Sequence, residues 1–145
     1  MREVSGDLFA WHDRGVPIAV TTSGLVSRAG RAQLGRGCAR QCGERFPWFA
    51  ARLGRLIGEH GLHTCHVGQG VIAFPVEHSP FDNPELDLIA RSAAELVTLT
   101  EREAWSQVAL PRPGCGTGGL AWTDVSALLS PLLDDRFVIV TRGEG

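Results

Sequence analysis

Val108-Ala-Leu-Pro-Arg-Pro-Gly-Cys-Gly-Thr-Gly-Gly-Leu-Ala-Trp-Thr-Asp-Val125 reads as a buried strand that runs through a cluster of glycines into a helix. Glycines let successive backbone amides point into one concavity without side-chain clash, and a helix start adds partial positive charge. Such a junction is a phosphate cradle. It is not a P-loop, because no Gly-Lys-Ser/Thr follows. Nor is it the dinucleotide fingerprint, because it lies late in the chain and no second strand ending in an acid follows at the required distance. A tight loop whose glycines only turn the chain is the alternative, but four glycines between Gly114 and Gly119 exceed what a turn requires.

Working outward, Phe137 to Thr141 is a strand after a helix over Trp122 to Leu133, and Gln107 to Leu110 is the strand entering the loop. Upstream, Pro84 follows an Asp82-Asn83 cap and is placed as a first helical residue; Leu86, Ile89, Ala93, Leu96 and Val97 form the apolar stripe of a helix reaching about Glu101. Leu62 to Val67 and Val71 to Phe74 read as a strand pair about Gly68-Gln-Gly70. Pro47 separates two helices, the second over Trp48 to His60. Pro17 to Thr21, nearly all apolar, reads as a strand buried on both faces, and Arg2 to Val4 as another. Strand and helix alternate from Pro17 onward, which predicts an α/β fold with helices on both faces of a mostly parallel sheet of about six strands. Residues 1–142 are expected to form one domain and 143–145 a tail.

With 145 residues, 43% of them hydrophobic, the chain has material for one core and too little length for two. Its net charge of -2 argues against holding long nucleic acid by neutralising many phosphates, yet leaves a small anion open, since backbone amides need no net charge. All 14 basic residues are arginine, so no lysine base, nucleophile or Schiff base can operate. Cys38, Cys42, Cys65 and Cys115 show no paired short spacing and read as reduced thiols. No leader and no long apolar run is evident, which predicts a cytoplasmic protein with no membrane partner.

A second glycine element, Gln33-Leu-Gly-Arg-Gly-Cys38, ends a long loop and precedes a helix, so the two loops together suggest a diphosphate held between them. Arg28, Arg31, Arg36 and Arg40 lie in or beside it; they are either solvated loop arginines or a basic rim, with Arg36 the choice for ligand contact. Cys115 sits in the amide nest, where packing beneath the loop competes with nucleophilic work. His60, His63, Cys65 and His66 crowd together, but strand alternation scatters them and their spacing fits no ligand pattern, so no metal is expected. Trp11, Trp48, Trp105 and Trp122 read as core rather than as adenine platforms.

Gly6-Asp-Leu-Phe9, the strand ending Val20-Thr-Thr-Ser-Gly24, Leu34-Gly-Arg-Gly-Cys-Ala39, Phe74-Pro75 and Pro111-Arg-Pro-Gly-Cys-Gly-Thr-Gly-Gly-Leu-Ala-Trp122 occur in the order found in macro domains. Almost the whole chain resembles that family, and most of all the branch of terminal ADP-ribose glycohydrolases and the antitoxins that strip ADP-ribose from DNA. The resemblance implies a three-layer α/β/α sandwich with ADP-ribose in a cleft at strand ends and no further cofactor. It places Asp7 on the adenine amino group with Leu8 beside it. Gly35, Arg36, Gly37 and Cys38 would flank the diphosphate and distal ribose from one side, and Gly114, Cys115, Gly116, Thr117, Gly118, Gly119 and Leu120 from the other. Thr22, Ser23 and Pro75 would sit at the strand ends, Ser23 near that ribose. The implied partners are ADP-ribose or ADP-ribosylated nucleic acid or protein, and an ADP-ribosyltransferase toxin, with the chain a monomer.

Two departures bear on catalysis. The branch carries Phe-Pro-Thr-Lys with a catalytic lysine where this chain has Phe74-Pro-Val-Glu77, and its protein-directed members carry an aspartate where this chain has Gly118. Glu77 is thus the candidate general base of an altered glycohydrolase, activating water as carboxylates do in glycoside hydrolysis. The alternative is a solvent-facing glutamate and a domain that reads ADP-ribose without turnover. A third activity, removal of phosphate from ADP-ribose phosphate, suits an amide nest but has no named nucleophile.

Overall fold

The computed structural model describes residues 1–142, so the expected tail, 143–145, lies outside the described residues. Eleven elements follow in the order β1 (Arg2–Ser5), α1 (Leu8–Asp13), β2 (Ile18–Thr22), α2 (Cys38–Arg45), α3 (Phe49–His60), β3 (Cys65–Gly68), β4 (Val71–Pro75), α4 (Leu86–Glu103), β5 (Val108–Leu110), α5 (Trp122–Leu129) and β6 (Phe137–Thr141). The strands form one six-stranded sheet in the order β1-β6-β5-β2-β4-β3. All pairs are parallel except β3 with β4, which is the mixed, mostly parallel sheet expected.

Side chains alternate across each strand, so a strand buried on both faces feeds two cores. Ala19, Ile72, Phe74, Val108, Leu110, Phe137 and Ile139 meet Ile89 and Leu96 of α4 and Val125 and Leu129 of α5. Ile18, Val20, Val71, Ala73, Ala109, Val138 and Val140 meet Leu8 and Phe9 of α1, Cys42 of α2, and Phe49 and Leu53 of α3. The result is the three-layer α/β/α sandwich. In β2 and β4 almost every residue is buried, and these central strands end at Thr22 and Pro75, side by side in register.

Four details depart from the sequence reading, the first being that β3 begins at Cys65 rather than Leu62. Pro84 is not the first helical residue: α4 starts at Leu86 after Glu85 in an extended conformation, and the buried Pro84 packs on the second glycine loop. Helix α5 stops at Leu129 rather than Leu133. Helix α1, six residues long, was not expected; Asp7 caps it, its carboxylate accepting the Phe9 amide at 3.1 Å. Among the described residues, no helix is long and apolar enough to cross a membrane.

Candidate functional site

Parallel strands place their carboxyl ends on one side of a sheet, and ligand crevices form outside those ends. Beyond β2, β4 and β5 lies a cavity of about 460 Å³, in the range of small-molecule sites. Thr21 and Thr22 form its floor. Leu34, Arg36, Gly37 and Cys38 make one wall, Gly114, Gly116, Thr117 and Gly118 another. Val76, Glu77 and the segment from Pro80 to Pro84 make a third.

Each wall is fixed from behind. Ser23 lies 3% exposed, and its hydroxyl donates to Gln33 O at 3.0 Å, so it ties the first loop to the strand end instead of lining the cavity. The Ala32 amide donates to Ala50 O of α3 at 2.9 Å. Gly35 and Gly37 both have φ +70, a region that favours glycine. Gly37 caps α2 without any side-chain hydrogen bond, leaving the helix start toward the cavity free of a capping group. The second loop closes on itself through Cys115 N–H to Arg112 O at 3.2 Å and Leu120 N–H to Gly114 O at 3.0 Å. The third wall is anchored where the Gly24 amide meets His78 O at 3.0 Å and the Glu85 amide meets Val76 O at 2.9 Å.

Inside the second loop the glycines are not equivalent. A Cβ on Gly118 would lie 2.5 Å from Pro84 Cγ and 2.6 Å from Gly114 O, so the loop admits no side chain there. The aspartate expected by resemblance therefore has no room. A Cβ on Gly116, by contrast, would meet nothing within 4 Å, and its φ lies outside the left-handed region. Thr22 is 3% exposed and its Oγ1 has no hydrogen-bond partner among the described residues, although it borders the cavity.

Glu77 stands in the cavity wall. Partial burial, reinforced by the nearby Asp82 charge and opposed by Arg36, raises its carboxyl above the ordinary glutamate range. The thiols are all held protonated. Burial raises Cys38 despite the Thr21 hydroxyl at 3.1 Å, pushes Cys42 up to about 12 and Cys65 up to about 11, and raises Cys115 against the pull of Arg112. Cys115 turns to Pro113 O and packs on the core, which answers the packing alternative.

Of the other expected residues, Asp7 is exposed and Leu8 buried beneath it, both away from this cavity, and Pro75 is buried with its carbonyl taken by Ser92 Oγ at 2.6 Å. Gly119 and Leu120 belong to the loop but do not line the cavity. The tryptophans pack against the two cores, as read. His63 pairs with Glu95 and His66 accepts the Gly70 amide, and no cluster suited to a metal occurs among the described residues. Sequence reasoning missed Phe81, 88% exposed at the rim, and Arg112, which lines the cavity between two prolines. Phe81 sits in no motif, and Arg112, although inside the quoted glycine stretch, is not one of the backbone-amide positions that the phosphate-cradle reading singles out.

A cavity of this kind, bordered by glycine loops at the carboxyl ends of a mostly parallel sheet, defines an α/β domain shaped for a small polar ligand. The fold is that of macro domains. The macrodomain of Mycobacterium tuberculosis DarG matches with a TM-score of 0.80 at 22% identity, over 99% of this chain and 97% of that one. The macrodomain of Thermus aquaticus DarG matches at 0.78 and 20%, over 99% and 97%. Thermosipho africanus DarTG, solved in complex with ADP-ribose, matches at 0.76 and 17%, over 100% of this chain and 43% of that one. No protein-family model and no curated protein matches the sequence.

Proposed function

We propose that the cavity binds ADP-ribose or an ADP-ribosyl group, and that the chain hydrolyses ADP-ribose from a modified nucleic acid or protein. Gly116 carries the binding half. Neither a neighbouring atom nor a left-handed φ accounts for a glycine at that cavity-facing position, whereas a ligand lying against its backbone does. The unpartnered Thr22 hydroxyl on the floor and the likeness to a DarTG solved with ADP-ribose support the same reading.

In this reading the diphosphate lies between Gly35–Cys38 and Gly114–Leu120. Asp7 takes the adenine amino group with its remaining carboxylate oxygen, beside Leu8. Ser23 acts by holding the first loop. Glu77 accepts a proton from water as the water oxygen bonds to the anomeric carbon; the bond from that carbon to the nucleic acid or protein breaks, and the leaving atom takes up the proton that Glu77 received. A raised carboxyl suits a base that must receive a proton near neutral pH. The ADP-ribosyl mark would come from an ADP-ribosyltransferase toxin in the same cytoplasm, and the chain acts as a monomer.

A second reading, an ADP-ribose reader without turnover, is favoured by the closure of Gly118 to any acid. Calorimetry with ADP-ribose, paired with release assays on modified protein, DNA and guanine base, separates the two. The expected result is binding by wild type and by Glu77→Gln, with release lost only in the variant. Binding with no release from any substrate leaves the reader; no binding sinks both.

A further inference from the structure

We propose that Arg112 is a diphosphate-binding residue of this cavity, aimed by Glu3 and Trp122. The ligand in this inference is the one proposed above; the role of Arg112 stands on separate observations.

Arg112 follows β5 and lines the cavity beside Pro111 and Gly114. Its guanidinium carbon lies 4.9 Å from the centre of the Trp122 ring, so the plane is held at the start of α5. One oxygen of Glu3, on edge strand β1, receives both Trp122 Nε1 at 3.0 Å and Arg112 Nη2 at 3.4 Å. The Trp122 bond is the shorter. At 3.4 Å the arginine contact is long for a charge-assisted hydrogen bond, so Glu3 steers the guanidinium without fully neutralising it. Arg112 Nε is buried and has no hydrogen-bond partner among the described residues. A positive group with an idle, desolvated donor invites an anion, and a planar fork suits phosphate.

The charges along the cavity bear on where a diphosphate sits. Arg36 and Arg112 are its cationic side chains, Glu77 and Asp82 its acids. Arg36 is electrostatically engaged with Glu77, as Asp82 is. The charge of Arg112 acts instead on Cys115 in the second loop. A diphosphate is therefore drawn to the Arg112 stretch and away from the two carboxylates.

The test uses calorimetry on wild type, Arg112→Gln, Arg112→Lys and Glu3→Gln, with ADP-ribose and with inorganic pyrophosphate, each at several salt concentrations. Losing a charge-assisted contact to phosphate is expected to weaken both ligands about tenfold or more in Arg112→Gln and to flatten the salt dependence. Arg112→Lys keeps the charge and the stem but not the fork, so it should retain the salt slope while losing severalfold in affinity. Glu3→Gln, which leaves the cavity lining intact, should weaken ADP-ribose severalfold with the Arg112 charge still present. Wild-type affinity and salt slope in both Arg112 variants overturn the assignment. If wild type ignores ADP-ribose but binds pyrophosphate in an Arg112-dependent way, the proposed function fails and the anion site stands. Binding of neither ligand by wild type overturns both.

Discussion

The two glycine loops face each other across one cavity, yet they need glycine for different reasons. In the first, Gly35 and Gly37 are exposed and take positive φ, so the backbone demands them. The loop is then held from behind by Ser23 and by α3. In the second, Gly114 combines φ +74 with crowding by Leu120, Ile89 and Pro84, and Gly118 is excluded from bearing a side chain by Pro84 and the Gly114 carbonyl. Gly116 answers to neither cause. Glycine content alone therefore does not identify a ligand contact; an unconstrained glycine points to one only where it faces the cavity, as Gly116 does and the equally unconstrained Gly58 of α3 does not.

That contrast can be broken most sharply at Gly118. Gly118→Asp inserts atoms where a bare Cβ already collides, and overpacking of this kind costs about 1–3 kcal/mol, or more where backbone must move. Thermal unfolding should show Tm lower by about 5–10 °C for a chain of this size, with ADP-ribose binding lost. A stable variant that gained release activity would mean that the loop can open to accept an acid.

Gly116→Val sharpens the comparison. Open space at that Cβ predicts a Tm within about 1–2 °C of wild type, and obstruction of the ligand predicts ADP-ribose affinity down by about tenfold. Wild-type affinity would remove the observation on which the binding assignment stands.

The smallest effect belongs to the third wall. As the proposed base, Glu77 would work only when ionised, so release should fall as pH drops through its raised pKa. Burial is the main cause of that rise and Asp82 the second, while Arg36 opposes it. Asp82→Asn removes a negative neighbour and should move the acid limb of the pH-rate profile to lower pH. Arg36→Gln should move it the other way. Limbs that stay in place in both variants would detach Glu77 from the proton transfer.

The sheet was legible because strands buried on both faces write themselves as unbroken apolar runs, as Pro17 to Thr21 and Val71 to Phe74 do. The α4 and α3 stripes were legible by their spacing. Helix α1 was not, since six residues are too short to display a period and its Asp7 cap was read only as a ligand residue. Pro84 fitted the rule for a first helical position, but its ring is used to pack the second loop, a tertiary contact no local rule contains. Both glycine loops were legible from local motif, and Glu77 from the resemblance that puts it in the place of a lysine; all three border the cavity. Arg112 escaped because its meaning depends on Glu3, far away in sequence at the opposite end of the chain, and on an orphaned donor visible only after folding.

Pro84 ties the wall that carries Glu77 to the loop that carries Gly118, and this constrains the order in which the chain can change. An acid at position 118 is blocked while the proline ring fills its place. Replacing Pro84 removes one of the two obstructions and leaves the Gly114 carbonyl, so the route to an aspartate-bearing loop runs through position 84 together with a shift of the loop backbone. The two sites are therefore coupled: aspartate at position 118 should cost less in a Pro84-substituted background than in wild type, by the proline's share of the collision.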